Sequence, residues 1–202
     1  MSTDREPLLT ENFDEPDLIS EGRDENLEDN EDYSDAALLQ AVEVTTERLA
    51  GRGRQLSASI HIPHPLERVW QILTDYDHLA DFIPNLATSR RIAHPQGGIR
   101  IEQVGTQSLL KFKFCARVVL DMIEQCPHRL DFEMVEGDFK AFSGSWILQS
   151  IEATEATTQL CYQVSVLPPR TMPIGLIERR LKSNLAVNLT AIRRRADQLF
   201  GY

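Results

Sequence analysis

LERVWQILTDYDHLADFIPNLATSRRI, Leu66 to Ile92, joins a short amphipathic helix, a corner rich in Asp and Tyr, and an apolar plug in one passage. It follows directly on an alternating segment. In Gln55 to Ile62, Leu56, Ala58, Ile60 and Ile62 fall on one side and Gln55, Ser57, Ser59 and His61 on the other, the period of two of a half-buried strand. Pro65 then suits a first helical turn, and Glu67 complements the positive end of the helix. Val69, Trp70 and Leu73 recur at the spacing of a buried helical stripe. Asp75 and Asp77 flank Tyr76, where carboxylates terminate or cap a helix more readily than they do acid–base chemistry.

Working outward, the middle of the chain reads as an antiparallel meander. Phe112, Phe114, Ala116, Val118 and Leu120 alternate with polar neighbours, as do Leu130, Phe132 and Met134, then Trp146 and Leu148, then Leu160, Tyr162, Val164 and Val166. Gly97-Gly98, Cys126-Pro127, Gly137-Asp138 and the polar Ala153 to Thr158 read as turns between them. Five or six successive strands with short joins follow from this pattern. Leu167-Pro168-Pro169 ends the last one, because proline has no N–H to give a ladder.

From Pro173 the period becomes 3.6 and holds for about 25 residues, the length of a helix lying across a curved sheet. Ile177, Leu181, Leu185, Ile192 and Leu199 share one face; Asn188 lands near its centre and Asn184 at its edge. An amide on an apolar stripe needs a partner. Two roles fit Asn188: a bond to backbone or a strand hydroxyl in a filled interior, or orientation of a ligand in a cavity.

Strand, His-Pro corner and V-W-x-x-L-T-D-Y-x-x-L-x-x-F-I-P-N-L together resemble the START-like (SRPBCC) superfamily, in its branch of polyketide cyclases/dehydrases and coenzyme Q-binding proteins. Gln103-Val104-Gly105, Glu136-Gly137-Asp138-Phe139, Phe142-Ser143-Gly144-Ser145-Trp146 and the helix after Pro173 extend the resemblance over roughly Val42 to Phe200. It implies an α+β helix-grip fold, an antiparallel sheet wrapped around the C-terminal helix with the 66–82 segment closing one end. It also implies an apolar ligand between sheet and helix, although the same space could hold a filled core. Candidate walls are Trp70, Phe82, Ile83, Phe114, Phe132, Phe139, Phe142, Trp146 and Tyr162, with Asn188 or Tyr162 to orient the ligand. The expected function is binding, without catalysis, of a hydrophobic small molecule such as a lipid or isoprenoid quinone. A polyketide cyclase or aromatase is the rival reading, and a ribosome- or protein-interaction factor the third, since one fold serves many functions.

Charge is divided unevenly along the 202 residues. Residues 1–35 hold 14 acids and 2 arginines, whereas residues 36–202 hold 17 acids and 19 Lys or Arg, so the net charge of −10 belongs to the tail. Residues 1–35 lack periodicity and repel themselves, and are expected to be a disordered acidic tail preceding one domain over 36–202. Arg170, Arg179, Arg180, Lys182, Arg193, Arg194 and Arg195 cluster late. They form either the solvated face of the helix or a surface for an anionic membrane; nucleic acid is the weaker partner, because no aromatic residues interleave to stack bases. On a flexible tether, the tail is expected to cover these arginines transiently.

Little in the chain points to catalysis. His61, His64, His78, His94 and His128 sit in or beside Pro- and Asp-containing corners without a nucleophile at motif spacing, and are expected to be solvated turn residues. His61-x-x-His64 is disfavoured as a metal pair by Pro63 and the strand end. Cys115, Cys126 and Cys161 suit neither a disulfide framework nor zinc. No Gly-rich phosphate loop is present, and neither metal nor cofactor is expected. With no targeting or spanning segment in view, the expected location is the cytoplasm, peripheral to a membrane at most. Oligomeric state does not follow from the sequence.

Overall fold

The strand predicted over Gln55–Ile62 is β2, Arg54–Ile62, and its apolar side is the floor of the core: Leu56, Ala58, Ile60 and Ile62 are at most 3% exposed. The computed structural model describes Leu39 and residues 42–109, 112–151 and 154–201. The expected acidic tail, residues 1–35, lies outside the described residues.

On one side β2 pairs with β1 (Glu43–Arg48), and on the other with the last strand, β8 (Thr154–Leu167). From β8 the sheet continues through β7 (Ala141–Ile151), β6 (Arg129–Gly137), β5 (Phe112–Gln125), β4 (Ile99–Leu109) and β3 (Leu86–Ile92). All seven pairings are antiparallel, in the order β1-β2-β8-β7-β6-β5-β4-β3. Register shifts at Leu86/Thr88, Val119/Leu120 and Ser150/Ile151 bend individual strands. β7 runs very close to its neighbours at Gly144, where an added Cβ would lie 2.6 Å from Phe132 Cζ and collide with the Gln163 carbonyl oxygen.

Between β2 and β3 the chain crosses from one side of the sheet to its far edge through α1 (Leu66–Thr74) and a 3-10 helix (Tyr76–Asp81). Val69, Trp70 and Leu73 are buried, as their spacing requires. The Asp pair secures the corner. Asp75 accepts from His78 Nδ1 at 2.7 Å, and Asp77 accepts from the Arg91 backbone N–H at 2.7 Å, tying the corner to β3. Asn85 adopts φ 64°, a left-handed conformation that asparagine tolerates, and turns the chain into β3. Its carbonyl accepts from the Thr106 N–H at 2.8 Å.

The final element is α2, Ile174–Phe200, 27 residues and about 40 Å long. It completes the α+β helix-grip arrangement. Leu185, Leu189, Ile192 and Ala196 are buried against β1, β2, β8 and α1. No helix among the described residues is long and apolar enough to cross a membrane.

The described residues hold eight strands: β2, the middle meander, in which the five or six expected strands are six, β3 to β8, and β1, an edge strand with little apolar alternation. Three expectations are corrected by packing. Thr154–Thr158 belong to β8 rather than to a turn: Thr158 sits in register with Ile62 and with Ser150, so ladder pairing outweighs its polarity. Leu199 is 51% exposed, whereas Leu189 is fully buried, since the last turn of α2 meets α1 through Phe200 instead. His64 is no solvated turn residue. At 3% exposure, it bonds Asp197 through Nε2 at 2.8 Å, and its carbonyl accepts from the Thr158 hydroxyl at 2.7 Å, locking the His-Pro corner to the end of α2.

Candidate functional site

Space between sheet and helix is divided along α2. Its C-terminal half is packed shut by Leu189, Ile192 and Ala196, while its N-terminal half, from Ile177 to Asn188, borders an open cavity of about 600 Å³. Twelve residues of helix, eleven steps of rise, set the length of that stretch at about 16 Å. A volume of this size falls within the range that holds small-molecule ligands.

The walls come from strands β3 to β8 of the curled sheet. Val118, Leu120 and Met122 of β5, Leu130 and Phe132 of β6, Phe142 and Trp146 of β7, and Tyr162 and Val164 of β8 face inward. Alternation is the cause: inward residues on each of these strands are two or four apart. Leu73, Tyr76, Leu79 and Ile83 close one end, and Thr171 to Pro173, between β8 and α2, border another part of the rim. Two arginines hold that rim. Arg52 donates to the carbonyls of Pro169, at 3.2 Å, and Met172, while Arg54 Nε donates to Glu178 at 2.9 Å.

An aromatic group lines the sheet side. Phe132 lies 5.5 Å from Phe142 and 6.2 Å from Tyr162, and Phe139 stacks on Phe142 at 5.5 Å. Such contacts fix the rings without filling the space.

Polar groups on the walls fall into two sets. Tyr76 donates its hydroxyl to Glu124 at 2.7 Å, and Gln103 donates to the Ser89 hydroxyl at 3.2 Å, so both are engaged. Tyr162 and Asn188 have no hydrogen-bond partner among the described residues. Arg180 also lines the cavity, partly buried, with neither ion pair nor hydrogen bond among the described residues. Burial pushes the Tyr162 phenol far above its ordinary range. Burial first, then the Glu124 hydrogen bond, does the same to Tyr76. Both phenols therefore stay protonated at neutral pH.

Of the candidate walls, Ile83, Phe132, Phe139, Phe142, Trp146, Tyr162 and Asn188 line the cavity. Trp70 does not: it is buried core, on a helix packed against β7, β8 and α2. Phe82 is also away from the walls, under the Arg195 guanidinium at 5.5 Å. Phe114 has a place in β5, but its side chain lies outside the described residues. The late arginines disperse around α2. Arg179 and Arg194 are exposed, Arg193 donates to the His61 carbonyl at 3.1 Å, and Arg195 covers Phe82. Sequence reasoning placed Arg180 on the outer surface and Tyr76 in a corner. For Arg180 a signal was present: Arg180, Asn184 and Asn188 recur four residues apart, on one line along the helix.

A family profile described as polyketide cyclase / dehydrase and lipid transport matches residues 62–190. Among solved structures, the chain is similar to the Zhui aromatase/cyclase from Streptomyces sp. R1128, at 16% identity and TM-score 0.60, over 72% of this chain and 94% of that one. It is similar to a STAR-related lipid transfer protein from Xanthomonas axonopodis, at 13% identity and TM-score 0.64, over 79% and 95%. Human STARD10 is similar at 8% identity and TM-score 0.61, over 79% and 70%. At these identities the likeness is one of fold. No curated protein matches the sequence.

Proposed function

The chain belongs to the family of polyketide cyclases/dehydrases and lipid-transport proteins, and from that premise we propose that it binds a hydrophobic small molecule, of the lipid or isoprenoid-quinone class, in the cavity beside α2. One observation carries the reading. An apolar chamber of about 600 Å³ is lined by Tyr162 and Asn188, whose polar groups have no partner among the described residues. Apolar burial at about 25 cal/mol per Å² drives such binding, and a few placed polar groups orient it. A cyclase would use the same chamber for reaction. Its candidate proton donors would then be Tyr76, already bonded to Glu124, and Tyr162, and burial keeps both phenols protonated.

Native mass spectrometry of protein purified from its own host tests the reading. A co-purifying lipid or quinone is expected, and Val164→Phe, which fills the cavity from β8, should lose it while remaining folded. An equal ligand load in the variant would reject the cavity as the site. Turnover of a polyketide substrate, abolished by Tyr76→Phe or Tyr162→Phe, would establish the cyclase instead.

A further inference from the structure

Among the described residues that line the cavity, Arg180 alone carries a charge. Its guanidinium stays protonated at any physiological pH. The nearest acid in sequence, Glu178, is engaged elsewhere: it pairs with Arg54 at 2.9 Å and Lys182 at 3.7 Å. Among the described residues Arg180 is thus a partly buried cation without a counter-charge, on the wall of a largely apolar chamber whose lining includes no carboxylate. Such a wall discriminates by sign. An amine-headed ligand meets a like charge, a neutral one leaves Arg180 as it stands, and an anionic one gains a charge-assisted pair that the guanidinium fork can make bidentate.

We propose that the ligand is an amphipathic anion, with its carboxylate or phosphate paired to Arg180 at the rim near Thr171–Pro173 and its apolar tail running along Leu181 and Leu185 toward Phe132. This rests on the reading of the cavity as a ligand site and narrows it from hydrophobic molecules at large to acidic ones. Asn188, two turns further along α2 and about 12 Å deeper, suits a second polar group on the tail rather than the head.

Isothermal titration calorimetry with dodecanoate, dodecyl phosphate and dodecanol separates the possibilities, using the full chain and its Arg180→Gln, Arg180→Lys and Arg179→Gln variants. Arg179 is the exposed neighbour, so Arg179→Gln controls for general surface charge. At least one anion should bind about tenfold or more tightly than the alcohol, the strength expected of a hydrogen bond to a charged group. Arg180→Gln should erase that advantage and leave dodecanol unchanged, Arg180→Lys should restore part of it, and Arg179→Gln should have no effect. The tighter of the two anions identifies a carboxylate or a phosphate head. Equal binding of all three probes, or an anion advantage that survives Arg180→Gln, overturns the pairing but leaves the apolar site intact. Failure of all three to bind removes the cavity reading and this proposal together.

Discussion

The Trp146 indole and the Tyr162 phenol lie flat against each other, with ring centroids 3.7 Å apart and planes 4° from parallel. They are cross-strand partners on β7 and β8, and both line the cavity. The protein's other tryptophan, Trp70, is core. An apolar probe that fills the cavity should therefore shift or quench emission from Trp146 alone. In a fluorescence titration, Trp70→Phe should keep the response and Trp146→Phe should abolish it; the reverse pattern would place the probe elsewhere.

Tyr162→Phe and Asn188→Leu remove polar groups that have no partner among the described residues. Neither should cost stability, because no intramolecular hydrogen bond is broken. Each variant should unfold in urea within about 1 kcal/mol of the parent, or later. A loss above about 2 kcal/mol would mean that the group is bonded inside the fold. Weaker binding of a polar-headed ligand should accompany the retained stability.

Gly144→Ala should be destabilising by about 1–3 kcal/mol, since the new methyl needs space held by the Gln163 carbonyl and the Phe132 ring. Backbone and aromatic ring must both move, so the cavity wall is disturbed with the fold. Chemical denaturation measures the first effect and probe binding the second. An unchanged midpoint would refute so close an approach.

The ion pair between Arg54 and Glu178 predicts a particular pH dependence. Arg54's hydrogen bond holds the Glu178 carboxyl below the usual carboxylate range. A folded value below the unfolded one of about 4.3 means stability that is present above that pH and lost as pH falls through the folded value. Glu178→Gln should lower the melting temperature at neutral pH, and the gap should close below about pH 4. Thermal melts across pH 3–8 check the sign; a gap that widened on acidification would contradict it.

Most of the architecture was legible in local pattern. Alternation in β2, β5, β6 and β8 and the change of period at Pro173 depend only on which residues need burial. β1 was not legible in this way. An edge strand satisfies one side of its backbone with a neighbour and leaves the other to water, so its side chains carry little pattern. His64 was misread for a related reason: its burial depends on Asp197, 133 residues away.

By itself, the sequence determined which surfaces face inward: periodicity put Phe132, Trp146, Tyr162 and Asn188 on the concealed faces of their strands and helix, and spacing aligned Arg180 with Asn184 and Asn188. Whether those faces meet or stand apart was decided only by tertiary structure. Curvature of the sheet and the path of α2 across it close the space at Leu189 and Ile192 and leave it open from Ile177 to Asn188. The physical reason is that burial preference is a property of each residue, whereas a cavity is a property of the distance between elements. That distance follows from bulges, from Gly144 and from contacts such as Arg54 with Glu178, which bring distant parts of the chain together.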